Sequence, residues 1–332
     1  MKRKHKGIST RRLLSLCTIM LLILLLTFPK ASLHGAEKGI LLWFNVIVPT
    51  LLPFIIVSHL IVNLRLTTYI AKVFYPFLHH LFAVTKHGCY VIIIGLLTGF
   101  PVGAKACGDL VTDRMITKKE GQYLLTFCNN ASPMFIISFI AITTLNIGSH
   151  KYMLLALIYI SALLTAIIYR CVHKISTSTF IEENKTIHSK NLSIASLEQP
   201  KSSRLSFAIV DHAILDGFEV ITKVGGYIIL FSILSSIILS VTPANNVLSY
   251  TGVGFLEITN GINAIGDSTL ALSTKIALIL SLTSFGGLSS VAQTKSVIDE
   301  SGLSIKCYTL YKLLNACITF VLVVLFLQLC SL

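Results

Sequence analysis

The chain has 332 residues, 54% of them hydrophobic and 12% charged, with a net charge of +13 and a mean hydropathy of +0.81. That composition excludes a water-soluble globule and fits a multi-span membrane protein, for which the bilayer is the solvent. The basic excess does not point to nucleic acid, because the Lys and Arg residues sit in short loops rather than along a face interleaved with aromatics.

The start, MKRKHKGISTRR, holds six Lys/Arg and no acid, and an apolar run from Leu13 to Phe28 follows. A basic start before an apolar run also describes a signal peptide, and SLHGA before Glu37 is a tolerable cleavage context. The expectation is an uncleaved first helix within residues 1–30. A helix needs about 20 mainly apolar residues to cross the hydrocarbon core. Val46 to Leu64, Leu124 to Leu145, Met153 to Tyr169, Val224 to Val241 and Cys307 to Leu329 approach this. The fold expected is an all-α polytopic membrane protein with about eight to ten embedded helical segments, some of them broken or re-entrant. The eight cysteines lie mostly in or beside apolar segments without metal-ligand spacing, so they read as small lipid-compatible hydrophobes.

The only long polar stretch runs from His173 to Arg204, inside a linker at residues 171–206. Residues 170–206 hold six Lys/Arg against three glutamates. The positive-inside rule puts this linker and the N-terminus in the cytoplasm. Across it the two halves, 36–170 and 207–332, resemble each other. LLTGFPVGAKACGDLV and SLTSFGGLSSVAQTKSVI each place Thr and Phe ahead of a Gly-rich break, followed by a polar hinge and a long apolar helix. Phe100 and Phe285 are 185 apart, Ile116 and Leu303 187, Asn129 and Asn315 186. Ala36 to Asn45 and Phe207 to Lys223 read as amphipathic helices lying at the interface. FYPFLHHLF and GFLEITNGI fall at matching places. Two repeats whose broken helices meet at the midplane is a common plan of secondary transporters.

Broken helices expose backbone groups that lipid cannot satisfy, so they belong where protein or water covers them. The breakers are Pro49 and Pro53, the cluster Gly99, Pro101, Gly103 and Gly108, and the pair Gly286 and Gly287; proline kinks and glycine packing contacts are the plainer explanation of each. Polar side chains in apolar segments carry the chemistry: Asn129, Asn130 and Ser132 before Pro133, then Glu257, Thr259, Asn260 and Asn263, then Ser289, Ser290 and Gln293. They offer amide, hydroxyl and carboxylate groups to a small polar solute, or hydrogen bonds between helices. Lys105 stands apart as a cation between Gly103 and Gly108. No P-loop, G-x-S-x-G or H-E-x-x-H occurs, so neither an enzyme nor an ATP-driven pump is expected, and no cofactor or metal.

The segments LLWFNVIVPTLLPFIIVSHL, GLLTGFPVGAKACGDL, FCNNASPMFI, FLEITNGI and SFGGLSSVAQ resemble the sporulation integral membrane protein YlbJ family, over essentially residues 10–330. Family chains carry nucleoside-recognition or Gate domains and are distantly similar to concentrative nucleoside transporters. The resemblance implies two Gate-like repeats and export of dipicolinic acid from the mother cell towards the forespore across the outer forespore membrane, with a role in spore core and cortex maturation. Residues 99–105, 129–133, 257–261 and 285–290 match the family pattern, whereas 173–204 shows nothing recognisable.

Dipicolinate is a small dianion, so Lys105 becomes its charge partner on this reading, set against a hydroxyl-rich wall from the second half. A snorkelling lysine, or a partner for Asp109 one turn on, fits the same spacing. The substrate-binding set expected is Gly99, Pro101, Gly103, Lys105, Asn129, Asn130, Ser132, Glu257, Thr259, Asn260, Gly286, Gly287, Ser289 and Ser290. The partners are a small anionic or polar solute and the lipid bilayer, with no nucleic acid and with homo-oligomerisation left open. A nucleoside or other metabolite carrier, and a non-transporting scaffold or regulator of cortex assembly, are the competing functions.

Overall fold

A computed structural model describes residues 10–64, 66–175, 180, 207–242 and 246–330. Most of the expected polar linker and the basic residues before Thr10 lie outside the described residues. Every regular element among those described is helical: α1 (Thr10–Thr27), α2 (Pro29–Leu42), α3 (Val48–Asn63), α4 (Thr67–Phe82), α5 (Lys86–Thr98), α6 (Val102–Thr112), α7 (Lys118–Cys128), α8 (Lys151–Val172), α9 (Phe207–Val241), α10 (Val247–Leu256), α11 (Ile258–Gly266), α12 (Leu272–Phe285), α13 (Gly287–Ile298) and α14 (Ile305–Cys330). A π-helical segment, Phe135–Thr144, lies between α7 and α8. Five helical stretches among the described residues are long and apolar enough to cross a bilayer: Pro29–Ile61, Gly148–Val172, Phe207–Val241, Leu272–Ser301 and Ile305–Leu329. The chain is an all-α polytopic membrane protein.

Two of the expected interfacial helices are instead the first halves of long continuous ones. Proline has no N–H for the carbonyl four residues back, so Pro49 leaves that of Asn45 without its helical donor; the helix widens into a π turn over Trp43–Ile47 and α2 runs on into α3. Thr50 Oγ1 donates to Val46 O at 2.6 Å inside the loosened turn. This long helix runs antiparallel to α9 along its whole length. Gly35 and Gly39 meet Ser232, Ile233 and Ile229, the Trp43 ring covers Gly225, and Gly217 meets Leu52 and Ile55. Trp43 Nε1 donates to Ile221 O at 2.9 Å, so the one large amphipathic side chain of the seam has its polar end satisfied. The expected span Leu13–Phe28 falls almost wholly within α1, which is shorter than the five crossing stretches and leaves Leu16, Ile19, Met20, Leu22, Ile23 and Leu26 exposed.

Between these long helices lie two hairpins and two broken helices. α5 runs parallel to α7, as the contacts of Gly88 with Glu120 and of Gly95 with Cys128 show, and α6 turns back so that Gly103 packs on Gly95. Cys107 Sγ donates to Gly121 O at 3.2 Å further down the same return. α5 and α6 therefore form a re-entrant hairpin with its tip at residues 99–101. α10 and α11 form another, with Gly254 against Gly261 and the tip at Glu257. α7 breaks at residues 129–132 and continues as the π segment, whose end, Thr144, lies on Gly266. α12 breaks at Gly286 and continues as α13. α8 and α14 close the two halves and run antiparallel, through Thr165 with Asn315 and Ser161 with Thr319.

The order long helix, hairpin, broken helix, closing helix thus occurs twice, in opposite directions. Its register differs from the one the residue spacing suggests. Phe100 is at a hairpin tip, and the corresponding tip is Glu257; Phe285 is at a break within a continuous path, and the corresponding break is at residues 129–132. Asn129 caps the end of α7 and Asn315 lies on α14; these helices run parallel, through Gln122 with Ser304 and Asn130 with Lys312, and so are not counterparts. FYPFLHHLF belongs to α4, which bends by 91° into α5 and is no counterpart of GFLEITNGI. Tips and breaks share one composition, small residues beside an aromatic, and this is why sequence spacing aligns the wrong pair.

Candidate functional site

Each hairpin tip packs on the break of its own half. The Gly99 φ of +81° is open to glycine at no cost, and a Cβ there would stand 2.6 Å from Ser132 N. Phe100 N donates to Asn130 O at 2.7 Å, so the exposed backbone of one break satisfies that of the other. In the second half Gly287, φ +77°, brings α13 against the carbonyls of Gly254 and Leu256 at the other tip. The two halves meet where the Phe100 ring lies over Gly286, with ring carbon 3.5 Å from a notional Cβ.

All four irregular segments surround one cavity. Phe100, Ala131, Ser132 and Phe135 line it from the first half; Glu257, Ile258, Thr259, Gly286, Ser289, Ser290 and Gln293 line it from the second; Ile47 of the π turn, Thr50 and Leu51 of α3 and Val224 and Ile228 of α9 complete it. About 30 Å³ is open to the centre of a water molecule, room for little more than one water.

Glu257 is buried and caps α11. Its Oε1 accepts from Thr259 N at 3.1 Å and its Oε2 from Asn260 N at 2.8 Å, with Thr259 Oγ1 and Asn260 Nδ2 adding side-chain donors. A carboxylate at a helix N-terminus is favoured by the orphan N–H groups and the helix dipole. Asn260 Nδ2 also donates to Ser232 Oγ of α9 at 2.7 Å, tying this tip to the long helix. Gln293 Nε2 donates to Ser289 Oγ at 3.1 Å, and Ser290 Oγ donates to Gly287 O at 3.0 Å. The wall thus offers four serine or threonine hydroxyls near its breaks, one amide and one carboxylate, and no Lys or Arg among its described residues.

The expected site residues divide accordingly. Ser132, Glu257, Thr259, Gly286, Ser289 and Ser290 line the cavity. Gly99, Pro101, Asn130, Asn260 and Gly287 build the tips and breaks behind it, and Gly103 packs α6 on Gly95. Asn129 is fully buried between α13 and α14, donating to Thr294 Oγ1 at 2.9 Å and Tyr308 OH at 2.8 Å. Lys105 is not brought to the cavity: on α6 it pairs with Asp109 at 3.2 Å, with both side chains partly exposed. The one-turn spacing of the two residues produces this pair without any solute.

Two buried ionic residues escape the sequence reading. Glu120 follows KK in a hinge that reads as surface, yet it is fully buried and its Oε1 accepts from Thr85 N at 2.7 Å and Thr85 Oγ1 at 2.8 Å, stapling the start of α7 to that of α5. Lys312, in YKLLN of α14, is fully buried and donates to Asn130 Oδ1 at 2.9 Å. A lysine inside an apolar span was the available signal.

The fold and this site define a multi-pass α-helical membrane protein with a narrow cavity at its broken helices, apolar over most of its wall and carrying a few polar groups. Over 313 residues the chain is 26% identical to the sporulation integral membrane protein YlbJ of Bacillus subtilis strain 168, a match covering 87% of this chain and 76% of that protein. This similarity supports a place in the YlbJ family. No family model matches the chain, and no solved structure matches it.

Proposed function

We propose that the chain is a membrane permease acting in endospore formation, which moves a small polar solute through the cavity between its two hairpin tips. The observation that carries this reading is the convergence of four backbone breaks on one narrow cavity whose largely apolar wall holds Ser132, Glu257, Thr259, Ser289, Ser290 and Gln293. Breaks at membrane depth cost hydrogen bonds unless they enclose a site, and solute carriers place their sites there. The cavity is far below the roughly 300 to 1,000 Å³ of ordinary ligand pockets, so admission of a solute requires the halves to part at the Phe100–Gly286 contact.

The solute we propose is dipicolinic acid, moved from the mother cell towards the forespore across the outer forespore membrane. The resemblance to YlbJ supports the sporulation setting. Glu257 bears on the charge: an ionised carboxylate in the wall repels a dianion, so transport of dipicolinate has Glu257 take up a proton or a coupling cation together with the solute. The same carboxylate, with no cation in the described wall, favours a second reading, a neutral nucleoside-like solute. Orientation follows the positive-inside rule. Arg114, Lys118, Lys119, Arg170 and Lys174 share the face from which the linker leaves, which we assign to the cytoplasm together with the N-terminus.

The test is expression of the chain in Bacillus subtilis lacking its own YlbJ, with dipicolinate measured separately in mother cell and forespore. Restored forespore dipicolinate supports the reading. Dipicolinate retained in the mother cell despite normal membrane insertion overturns it.

A further inference from the structure

We infer that Lys312 is the counter-charge for an anionic solute at this site, delivered through the broken segment Asn129–Ser132. The inference rests on the carrier reading above and names the residue that makes the carrier selective for anions.

Lys312 lies seven residues into α14, about 10 Å along its axis from the helix start. It is fully buried. The ion pairs among the described residues are His59–Asp216, Lys105–Asp109, Lys223–Glu219 and Lys295–Asp299, and Lys312 belongs to none of them. An ammonium group carries three donors, and the one acceptor it meets is the uncharged Asn130 Oδ1. A buried cation held by an amide alone is costly, and a chain keeps such a group where an anion will compensate it.

Asn130 is built to relay that charge. Its Nδ2 donates to Phe127 O at 2.6 Å, which fixes the amide so that Oδ1 faces Lys312. Its main-chain carbonyl accepts from Phe100 N at the hairpin tip of the same half. The next two residues, Ala131 and Ser132, are cavity wall. One non-helical stretch therefore stands between the ammonium and the cavity, and it is the stretch that must move if Phe100 and Gly286 separate. When it moves, a solute carboxylate can replace Asn130 Oδ1 as the acceptor.

The experiment uses purified full-length protein in liposomes, with uptake of dipicolinate and of its uncharged diamide, which has the same ring and nearly the same shape. The variants are Lys312→Met, Lys312→Arg and Asn130→Asp. Asn130→Asp gives the lysine an internal carboxylate but loses the Nδ2 donor to Phe127 O, so any damage to the break itself is read from the diamide, and with a merely structural lysine the two probes fall together or not at all. The expected result is that the wild type prefers dipicolinate and that Lys312→Met and Asn130→Asp each lower the ratio of dipicolinate to diamide uptake by on the order of ten- to a hundredfold; an equal fall for both probes overturns the role of Lys312. Lys312→Arg should retain part of the preference. If Lys312→Met does not insert, Asn130→Asp alone decides. Wild-type dipicolinate uptake by an inserted Asn130→Asp protein overturns the role of Lys312 and leaves the carrier reading standing; absence of wild-type uptake of either probe overturns both.

Discussion

The main-chain N–H of Phe100 donates to the carbonyl oxygen of Asn130 at 2.7 Å, joining the tip of one hairpin to the break in the helix beside it. That bond exists only because Gly99 adopts φ +81° and lets the tip sit directly on Ser132. Gly99→Ala should therefore damage the fold of the first half, by about 1 to 3 kcal/mol from the backbone conformation before the clash with Ser132 is counted. Reduced thermal stability of the detergent-solubilised protein is the readout. A variant as stable as wild type would mean the tip can rest elsewhere.

A close approach in the second hairpin gives a matched pair of tests. A Cβ on Gly261 would strike Gly254 across the hairpin, whereas one on Gly226 of α9 meets nothing within 4 Å. Gly261→Ala should lower the yield of inserted protein severalfold. Gly226→Ala should be neutral or slightly stabilising, by up to about 1 kcal/mol, because alanine gives up less backbone entropy in a helix. Both are read by fluorescence-detected size exclusion after heating.

Lys105 and Glu257 should separate structure from transport. Lys105→Ala removes a half-exposed one-turn pair with Asp109, worth roughly 0.5 kcal/mol or less, so protein level and uptake should both remain within about twofold of wild type. A large transport defect would return Lys105 to the site.

Glu257→Gln keeps an acceptor for one of the two capped N–H groups of α11 and loses the charge. It should cost roughly 1 to 2 kcal/mol of stability and, with protein still inserted, abolish the dependence of uptake on pH or on the coupling cation. Full uptake with its ion dependence intact would leave Glu257 a helix cap and nothing more.

Residues such as Pro49, Gly99, Pro101 and Gly286 make the broken helices legible in the sequence, because glycine and proline act locally on the backbone. The pairing of those breaks is a matter of chain direction, which no single segment encodes. TGFPVG and TSFGGL look alike although one is a hairpin tip and the other an interruption in a span. Ser132, Thr259 and Ser289 were legible as polar groups in apolar segments, and they line the cavity. Lys312 was not, because YKLLN reads as the snorkelling start of a long helix until α7 and α13 are packed around it. Lys105 was singled out for its glycine neighbours, while its partner Asp109 was only four residues away.

The central claim is that solute occupies the space between the two hairpin tips. It is tested most directly by single cysteines at Ser132, Ser289 and Lys105 in a background with the native cysteines replaced, reacted in liposomes with a small methanethiosulfonate. Ser132→Cys and Ser289→Cys line the cavity from opposite halves and Lys105→Cys lies outside it. Dipicolinate at saturating concentration should slow labelling of the first two severalfold and leave the third unchanged. Equal labelling of all three with and without dipicolinate, in protein that takes it up, would contradict the account.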